Sequence, residues 1–373
     1  MIKHTPYYHR LAAAGAKFQD RGGFATINFL TSIEDEHRAV RERVGIFDVY
    51  YQVAIEIQGP DSAELLQRAL TNDVRRIGDG GVLYSPACNA EGGMLDDLTC
   101  FRFSAERFWV CPTPSRVAAI AAHLEEQAAG RRATVTNLGY ANAYLSIQGP
   151  RSRDLLATLT DTDLSTAALP YFRFGQGTVA GVPGTVISRT GYSGELGYEL
   201  FYPVEYAEHL WDAVVAAGAP FDLRICGMKT MRALRIEKRY LLYGLDVSTE
   251  TDPLSAGVGW AVRFDDRNFL GRTALERVAA RGMTRTLCLL QTSGFHPIVH
   301  GEPVLAGGEM IGTVTSGDPS PTLGCTLAFA YLPADRSEAG TRVDIRIGDG
   351  HTTVDAHVIA GVPYDPERRR ARI

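Results

Sequence analysis

Ile57-Gln58-Gly59-Pro60-Asp61-Ser62, running into Glu64-Leu65-Leu66, returns ninety residues later as Ile147-Gln148-Gly149-Pro150-Arg151-Ser152, running into Asp154-Leu155-Leu156. Each copy closes an extended, alternating run on a glycine. Proline then sits where a first helical turn tolerates a missing N–H, and leucines follow at helical spacing. Two copies are too few for a solenoid. They read as two related strand–helix units, a pseudo-repeat at 57–70 and 147–160, with a site expected between the halves.

Outward from this echo, helical patterns cover 34–43, 115–129, 205–217, 230–238 and 273–281, and extended patterns cover 83–85, 98–103, 108–111, 179–188 and 199–202. Helices and strands do not alternate as in a doubly wound fold, so the class read is α+β. Beyond about residue 281 the texture changes to short extended runs at 287–291, 303–305, 310–315, 326–331, 342–347 and 356–359. Turns such as Ala306-Gly307-Gly308-Glu309 and Gly348-Asp349-Gly350 separate them, the pattern of a small all-β domain. The expected organisation is residues 1–280 as two interleaved α+β domains and residues 281–373 as a β-barrel.

The chain has 373 residues, 45% of them hydrophobic and 22% charged, with a formal net charge of −5. That is ordinary globular composition. The mild acidity argues against a nucleic-acid partner. No apolar run approaches the ~20 residues needed to span a bilayer, which argues against a membrane. No leader is visible at Met1-Ile2-Lys3-His4-Thr5-Pro6, and the six cysteines form no Cys-x-x-Cys pair. The expectation is a reduced, cytoplasmic enzyme with packed thiols and no metal site. The basic run Arg368-Arg369-Arg370 with Arg372 reads as a solvated tail.

Four stretches carry candidate chemistry. Asn89-Ala90-Glu91-Gly92-Gly93-Met94-Leu95-Asp96-Asp97-Leu98 pairs a glycine turn with two adjacent carboxylates opening a strand. Strand neighbours face opposite sides, so one aspartate is free to enter a pocket while the other caps the turn or meets solvent. On spacing alone, two solvated turn aspartates are the simpler reading. Arg189-Thr190-Gly191-Tyr192-Ser193-Gly194-Glu195-Leu196-Gly197-Tyr198-Glu199-Leu200 supplies glycines for close approach of a flat ligand, tyrosine faces for stacking and a carboxylate for paired N–H donors. It also fits a glycine-rich hairpin with core tyrosines. The third runs from Leu234 to Asp246, a helix end and its exit, and the fourth, Thr315 to Gly324, reads as a turn-rich connection. Gly175-Gln176-Gly177-Thr178-Val179-Ala180 loosely fits a dinucleotide loop but precedes a strand-like run, so it reads as a glycine turn.

In this order, together with Gly45-Ile46-Phe47-Asp48-Val49, Leu70-Thr71-Asn72-Asp73-Val74, Gly259-Trp260-Ala261-Val262 and Phe269-Leu270-Gly271-Arg272, these stretches resemble the folate-binding aminomethyltransferase family over nearly the whole chain. That family includes the glycine cleavage T-protein, the folate domains of dimethylglycine and sarcosine dehydrogenases, and tetrahydrofolate-dependent demethylases. The resemblance implies a three-domain cloverleaf with a C-terminal β-barrel and a central folate channel. It implies tetrahydrofolate as cofactor, Asp97 as the catalytic carboxylate, Glu199 as the pterin acceptor, and Tyr192, Tyr84 and Tyr171 lining the folate.

Departures from the T-protein cluster on the donor side. Its Ser-His-Met after Phe47-Asp48-Val49 is Tyr50-Tyr51-Gln52 here, its Val-Asn-Ala-Ala-Asn is Cys111-Pro112-Thr113-Pro114-Ser115, and Met231 stands for an arginine. Tyr50, Tyr51 and Gln52 are therefore the candidate donor residues, with core packing of the tyrosines the equal alternative. The leading expectation is one-carbon (methyl) transfer to tetrahydrofolate from a small N-, O- or S-methylated donor, a demethylase, and the aromatic pair argues against a lipoyl carrier protein. The alternatives are the glycine cleavage aminomethyltransferase itself and a non-enzymatic folate-binding accessory protein. The last lacks its Lys-Gly-Cys-Tyr-x-Gly-Gln-Glu signature, since Thr190-Gly191-Tyr192-Ser193-Gly194-Glu195 carries no cysteine.

Overall fold

The structure, a computed structural model, describes residues 1–348 and 350–373. The turn around Asp349 lies in part outside the described residues. Three β-units assemble side by side. A six-stranded sheet has the order Phe174–Val179, Val182–Ser188, Gly197–Pro203, Asn142–Gln148, Gly45–Asp48, Arg224–Cys226, antiparallel except for the last pair. An antiparallel five-stranded sheet has the order Gly81–Cys88, Met94–Ser104, Arg107–Cys111, Ile55–Gln58, Thr134–Asn137. A closed six-stranded barrel begins at Arg285–Thr292. The chain enters the first sheet at Gly45–Asp48, leaves to build all of the second, and returns to finish the first. The mixed α+β class and the C-terminal barrel are as the sequence led us to expect.

The echo is structural. Gly59 and Gly149 have φ of +137° and +128°, and a Cβ would stand 2.2 Å from the Arg132 carbonyl oxygen or 2.5 Å from that of Arg43. Only glycine meets both demands. The helices that follow are Ser62–Ala69 and Ser152–Leu156, so Pro60 and Pro150 occupy the preceding turn rather than the first helical turn.

Helix Ile33–Glu42 is capped by the Ser32 hydroxyl, which accepts from the Asp35 N–H, and Glu34, Asp35 and Glu36 meet its N-terminal dipole. Helix Met228–Glu237 packs between that helix and the barrel strand Glu309–Ser320, and it ends beside the cavity described below.

Three expectations are corrected. The 175–180 segment is itself a strand, Phe174–Val179, and the extended run read across 179–188 is broken by a hairpin turn at Ala180 and Gly181, both with positive φ. The 315–324 segment is mostly strand, within Glu309–Ser320. Its polar Ser316, Asp318 and Ser320 alternate inward onto buried charged groups, which gave a strand the composition of a turn. The C-terminal arginines are not a free tail: Arg370 pairs with Glu195 at 2.8 Å and donates to the Arg41 carbonyl at 2.6 Å, and Ala371 is buried. All six cysteines are free and buried. No helix among the described residues is long and apolar enough to cross a membrane.

Candidate active site

The five-stranded sheet, the 189–197 loop, the exit of helix Met228–Glu237, the barrel and the C-terminal segment converge on one cavity of about 680 Å³. That is ample for a ligand of folate size. Strand Met94–Ser104 alternates buried and less buried positions along its first half, and this sets the two carboxylates apart. Asp97 reaches the cavity wall, where its Oδ2 accepts from the Tyr84 hydroxyl at 3.0 Å. Burial raises its pKa to about 6. The Tyr84 hydrogen bond and the Arg235 charge oppose that rise, and Asp246 adds to it. Such a carboxyl changes charge just below neutrality and suits general-base work. Asp96 neither caps a turn nor meets solvent, contrary to the two options read from spacing. It is wholly buried, and its Oδ2 accepts from the Thr113 N–H at 2.7 Å.

The walls are aromatic. Tyr84 stacks on Trp260, centroids 5.2 Å apart, and Trp260 is otherwise exposed. Tyr192 lies 5.6 Å from Tyr240, and its hydroxyl donates to the Leu241 carbonyl. Tyr171 lines the same cavity and shares a hydrogen bond with Tyr240. Asn72 donates to the Tyr84 carbonyl at 2.9 Å and so fixes the strand that carries it. Four of the five residues expected at the folate and catalytic site, Asp97, Tyr84, Tyr171 and Tyr192, are thus brought together.

Glu199 is not on this wall. It sits on strand Gly197–Pro203, accepts from the Thr190 hydroxyl and shares a hydrogen bond with Tyr144. Thr190 directly precedes Gly191, which is on the wall. Burial raises the pKa of Glu199, and no cation pairs with it among the described residues.

Tyr50, Tyr51 and Gln52 are not brought to the cavity. They follow strand Gly45–Asp48 into an aromatic cluster. Tyr50 lies 6.5 Å from Phe24 and 6.3 Å from Tyr140, and the Tyr51 hydroxyl donates to Met228 Sδ at 2.5 Å. The Gln52 N–H closes a turn onto the Val49 carbonyl at 2.8 Å.

Sequence reasoning missed the cationic part of the wall. Arg368 and Arg372 line it, exposed and without an ion-pair partner among the described residues. Lys238 lines it too but is held by Asp365 at 3.0 Å. The only sequence signal was the arginine run itself. It also missed the support. Arg235 and Asp246 form a buried pair at 2.5 Å, with Asp246 Oδ1 accepting from Thr315 and Ser316. Glu237 accepts from His37 at 3.0 Å, Arg41 at 2.6 Å and Ser320 at 2.6 Å.

Comparison with known proteins agrees with this geometry. Residues 7–266 match the family described as the GCVT N-terminal domain, and residues 285–365 match the glycine cleavage T-protein C-terminal barrel domain. An aminomethyltransferase of Streptomyces avermitilis is 40% identical over 351 residues, 92% of this chain and 94% of that one. One from Halothermothrix orenii is 35% identical over 344 residues, 92% of this chain and 95% of that one. The structure of glycine cleavage system aminomethyltransferase T from Bartonella henselae superposes with a TM-score of 0.90 at 28% identity, covering 99% of both chains. The chain belongs to the glycine cleavage T-protein family.

Proposed function

We propose that this protein is a tetrahydrofolate-dependent aminomethyltransferase of the T-protein type, moving a one-carbon unit from an aminomethyl donor to tetrahydrofolate. The observation that carries the reading is Asp97, a carboxyl with a pKa of about 6, facing a folate-sized aromatic cavity. Tyr84, Tyr171, Tyr192 and Trp260 offer faces for flat rings. Arg368 and Arg372 offer unpaired cations to carboxylates at the ligand's other end. Tetrahydrofolate supplies the nitrogen that accepts the carbon, and that nitrogen must lose a proton. Asp97 is the group on the wall suited to orient it and take the proton, while Tyr84 holds the carboxylate in place.

The expectation of a methyl-donor demethylase gives way here. Aminomethyltransferases 40% and 35% identical to this chain over nearly its whole length support the aminomethyl reading instead. Tyr50 and Tyr51 pack away from the cavity, so the aromatic pair that spoke against a lipoyl arm does not crowd this site. A lipoyl carrier protein bearing the aminomethyl group is therefore our proposed donor. The test supplies tetrahydrofolate with either an aminomethylated lipoyl carrier or a panel of methylated amines, ethers and thioethers, and reads the folate by mass spectrometry. One-carbon folate from the carrier alone is expected. Product from the methyl donors alone would overturn the reading.

A further inference from the structure

We propose that Asp96 is a positioning residue of this site: it stands as a neutral carboxylic acid, accepting from Thr113 on Oδ2 and protonated on Oδ1, and leaves Asp97 as the carboxylate of the pair. The proposal rests on the reading of Asp97 above and deepens it.

Asp96 is fully buried, its Oδ2 takes the Thr113 N–H at 2.7 Å, and its Oδ1 is buried with no partner. The donors around Asp96 are all neutral, the N–H and side chain of Thr113 and the N–H of Asp97, and without a cation they do not offset the cost of bringing a carboxylate out of water. No cation does so either. Arg235 is engaged by Asp246 at 2.5 Å, and Arg116 donates to the Leu95 carbonyl at 2.8 Å while lying 4.7 Å over the Tyr243 ring. The charged and titratable groups facing Asp96 are Asp97 on its own strand, Tyr84 on the neighbouring strand, Arg116 beside Thr113, and Tyr243 after helix Met228–Glu237. Asp97 is faced by Tyr84, Tyr192, Tyr243, Arg235 and Asp246. Burial and the neighbouring Asp97 push Asp96 well above the ordinary carboxyl range, whereas Asp97 has the Tyr84 hydrogen bond and the Arg235 charge to favour its ionised form, so Asp97 is the member that ionises. Because Oδ2 already accepts a hydrogen bond, the retained proton belongs on Oδ1.

Thr113 lies between Pro112 and Pro114, so its N–H is the single backbone donor across those three residues. The hydrogen bond from this N–H to Asp96 ties the strand carrying Asp97 to the segment leading into helix Val117–Ala128.

Asp96→Asn and Asp96→Ala, each assayed in the full-length protein, test this. Asn keeps an oxygen for Thr113 and is neutral at every pH, so it is the conservative replacement. Ala is expected to lower kcat roughly 10- to 100-fold through misplacement of Asp97, with folate affinity nearly unchanged, and Asn is expected to recover most of that loss. With Asn, the acid limb of the pH–rate profile, set by Asp97, should stay where it is in the wild type. Infrared spectra of the ligand-free protein at neutral pH should show a protonated-carboxyl band that Asp96→Asn abolishes. An acid limb displaced downward by about one pH unit or more with Asn would mean that Asp96 is charged and would overturn the proposal. A wild-type minus Asp96→Asn difference spectrum with no lost protonated-carboxyl component would overturn it as well. The infrared result needs no substrate: if the band behaves as stated and no folate chemistry is found, the functional reading fails while the protonation state of Asp96 stands.

Discussion

Asp97 works in a place that does not suit it as a charged group. Its folded pKa of about 6 lies above the ordinary 3.8, so its ionisation costs stability as pH climbs through that interval, and the cost is complete above pH 6. Asp97→Asn removes the cost. The variant should melt at or above the wild-type temperature at pH 7, and the difference should vanish near pH 3.5, where both side chains are neutral. Calorimetry at the two pH values checks this, and a variant less stable only at neutral pH would show that the carboxylate is not opposed by its surroundings. Tyr50 and Tyr51 make the contrasting case. Packed among Phe24, Tyr140 and Met228, they should cost several kcal/mol of stability as alanine variants, by analogy with other large-to-small changes in cores. Folate affinity and the donor's KM should not move, and a raised donor KM in either variant would return it to the donor site.

Helix Met228–Glu237 joins the first six-stranded sheet region to the barrel through its last residue. Burial alone would raise the pKa of Glu237, but the His37 hydrogen bond and the Arg41 charge outweigh it and hold the group at about 2, against a usual 4.5. A depressed carboxylate contributes stability that is complete above its unfolded pKa and lost as pH falls through the folded one, here between about pH 4.5 and 2. The contribution is roughly 3 kcal/mol. In Glu237→Gln that acid-dependent loss should largely disappear from a denaturation series. The variant should also lose about 3–5 kcal/mol at pH 7, because Arg41 is left buried with one fewer anion. A wild-type acid profile retained in the variant would refute this assignment.

Much of this was legible in the sequence where one period dominates. The helices near 34–43 and 230–238 and the outer barrel strands were read within a few residues, because apolar spacing and glycine punctuation agreed. The first half of strand Glu309–Ser320 was read at 310–315, but its second half read as turn because its alternate residues are polar on the inward side, where Asp246, Arg232 and Glu237 receive them. Alternation set Asp96 and Asp97 on opposite faces without choosing between them, and the choice of Asp97 came from the family resemblance alone. The ion-pair partners of Arg41 and Arg370 were not legible, since each is set by a chain segment 154 or more residues away.

The three β-units pack on one another through shared apolar clusters, such as Phe47, Tyr144 and Phe201 against Phe101 and Trp109, and elements from all three parts of the chain line the cavity, so a ligand filling it touches each of them. Tetrahydrofolate at 100 times its dissociation constant should add about 2.7 kcal/mol to stability. Glu199→Gln, which removes a buried acceptor while keeping its size, should weaken that shift if Glu199 meets the pterin. An undiminished shift would leave Glu199 as a structural partner of Thr190 and Tyr144 only.

The decisive experiment is a single-turnover reaction of wild type and Asp97→Asn, each saturated with tetrahydrofolate and mixed with an aminomethylated lipoyl carrier, with the folate product followed by mass spectrometry and folate binding measured in parallel. The wild type should form one-carbon folate, and Asp97→Asn should bind tetrahydrofolate nearly as well but react at least ~100-fold more slowly. Equal rates from the two proteins, or no binding of tetrahydrofolate by the wild type, would contradict the assignment of this cavity and its carboxylate.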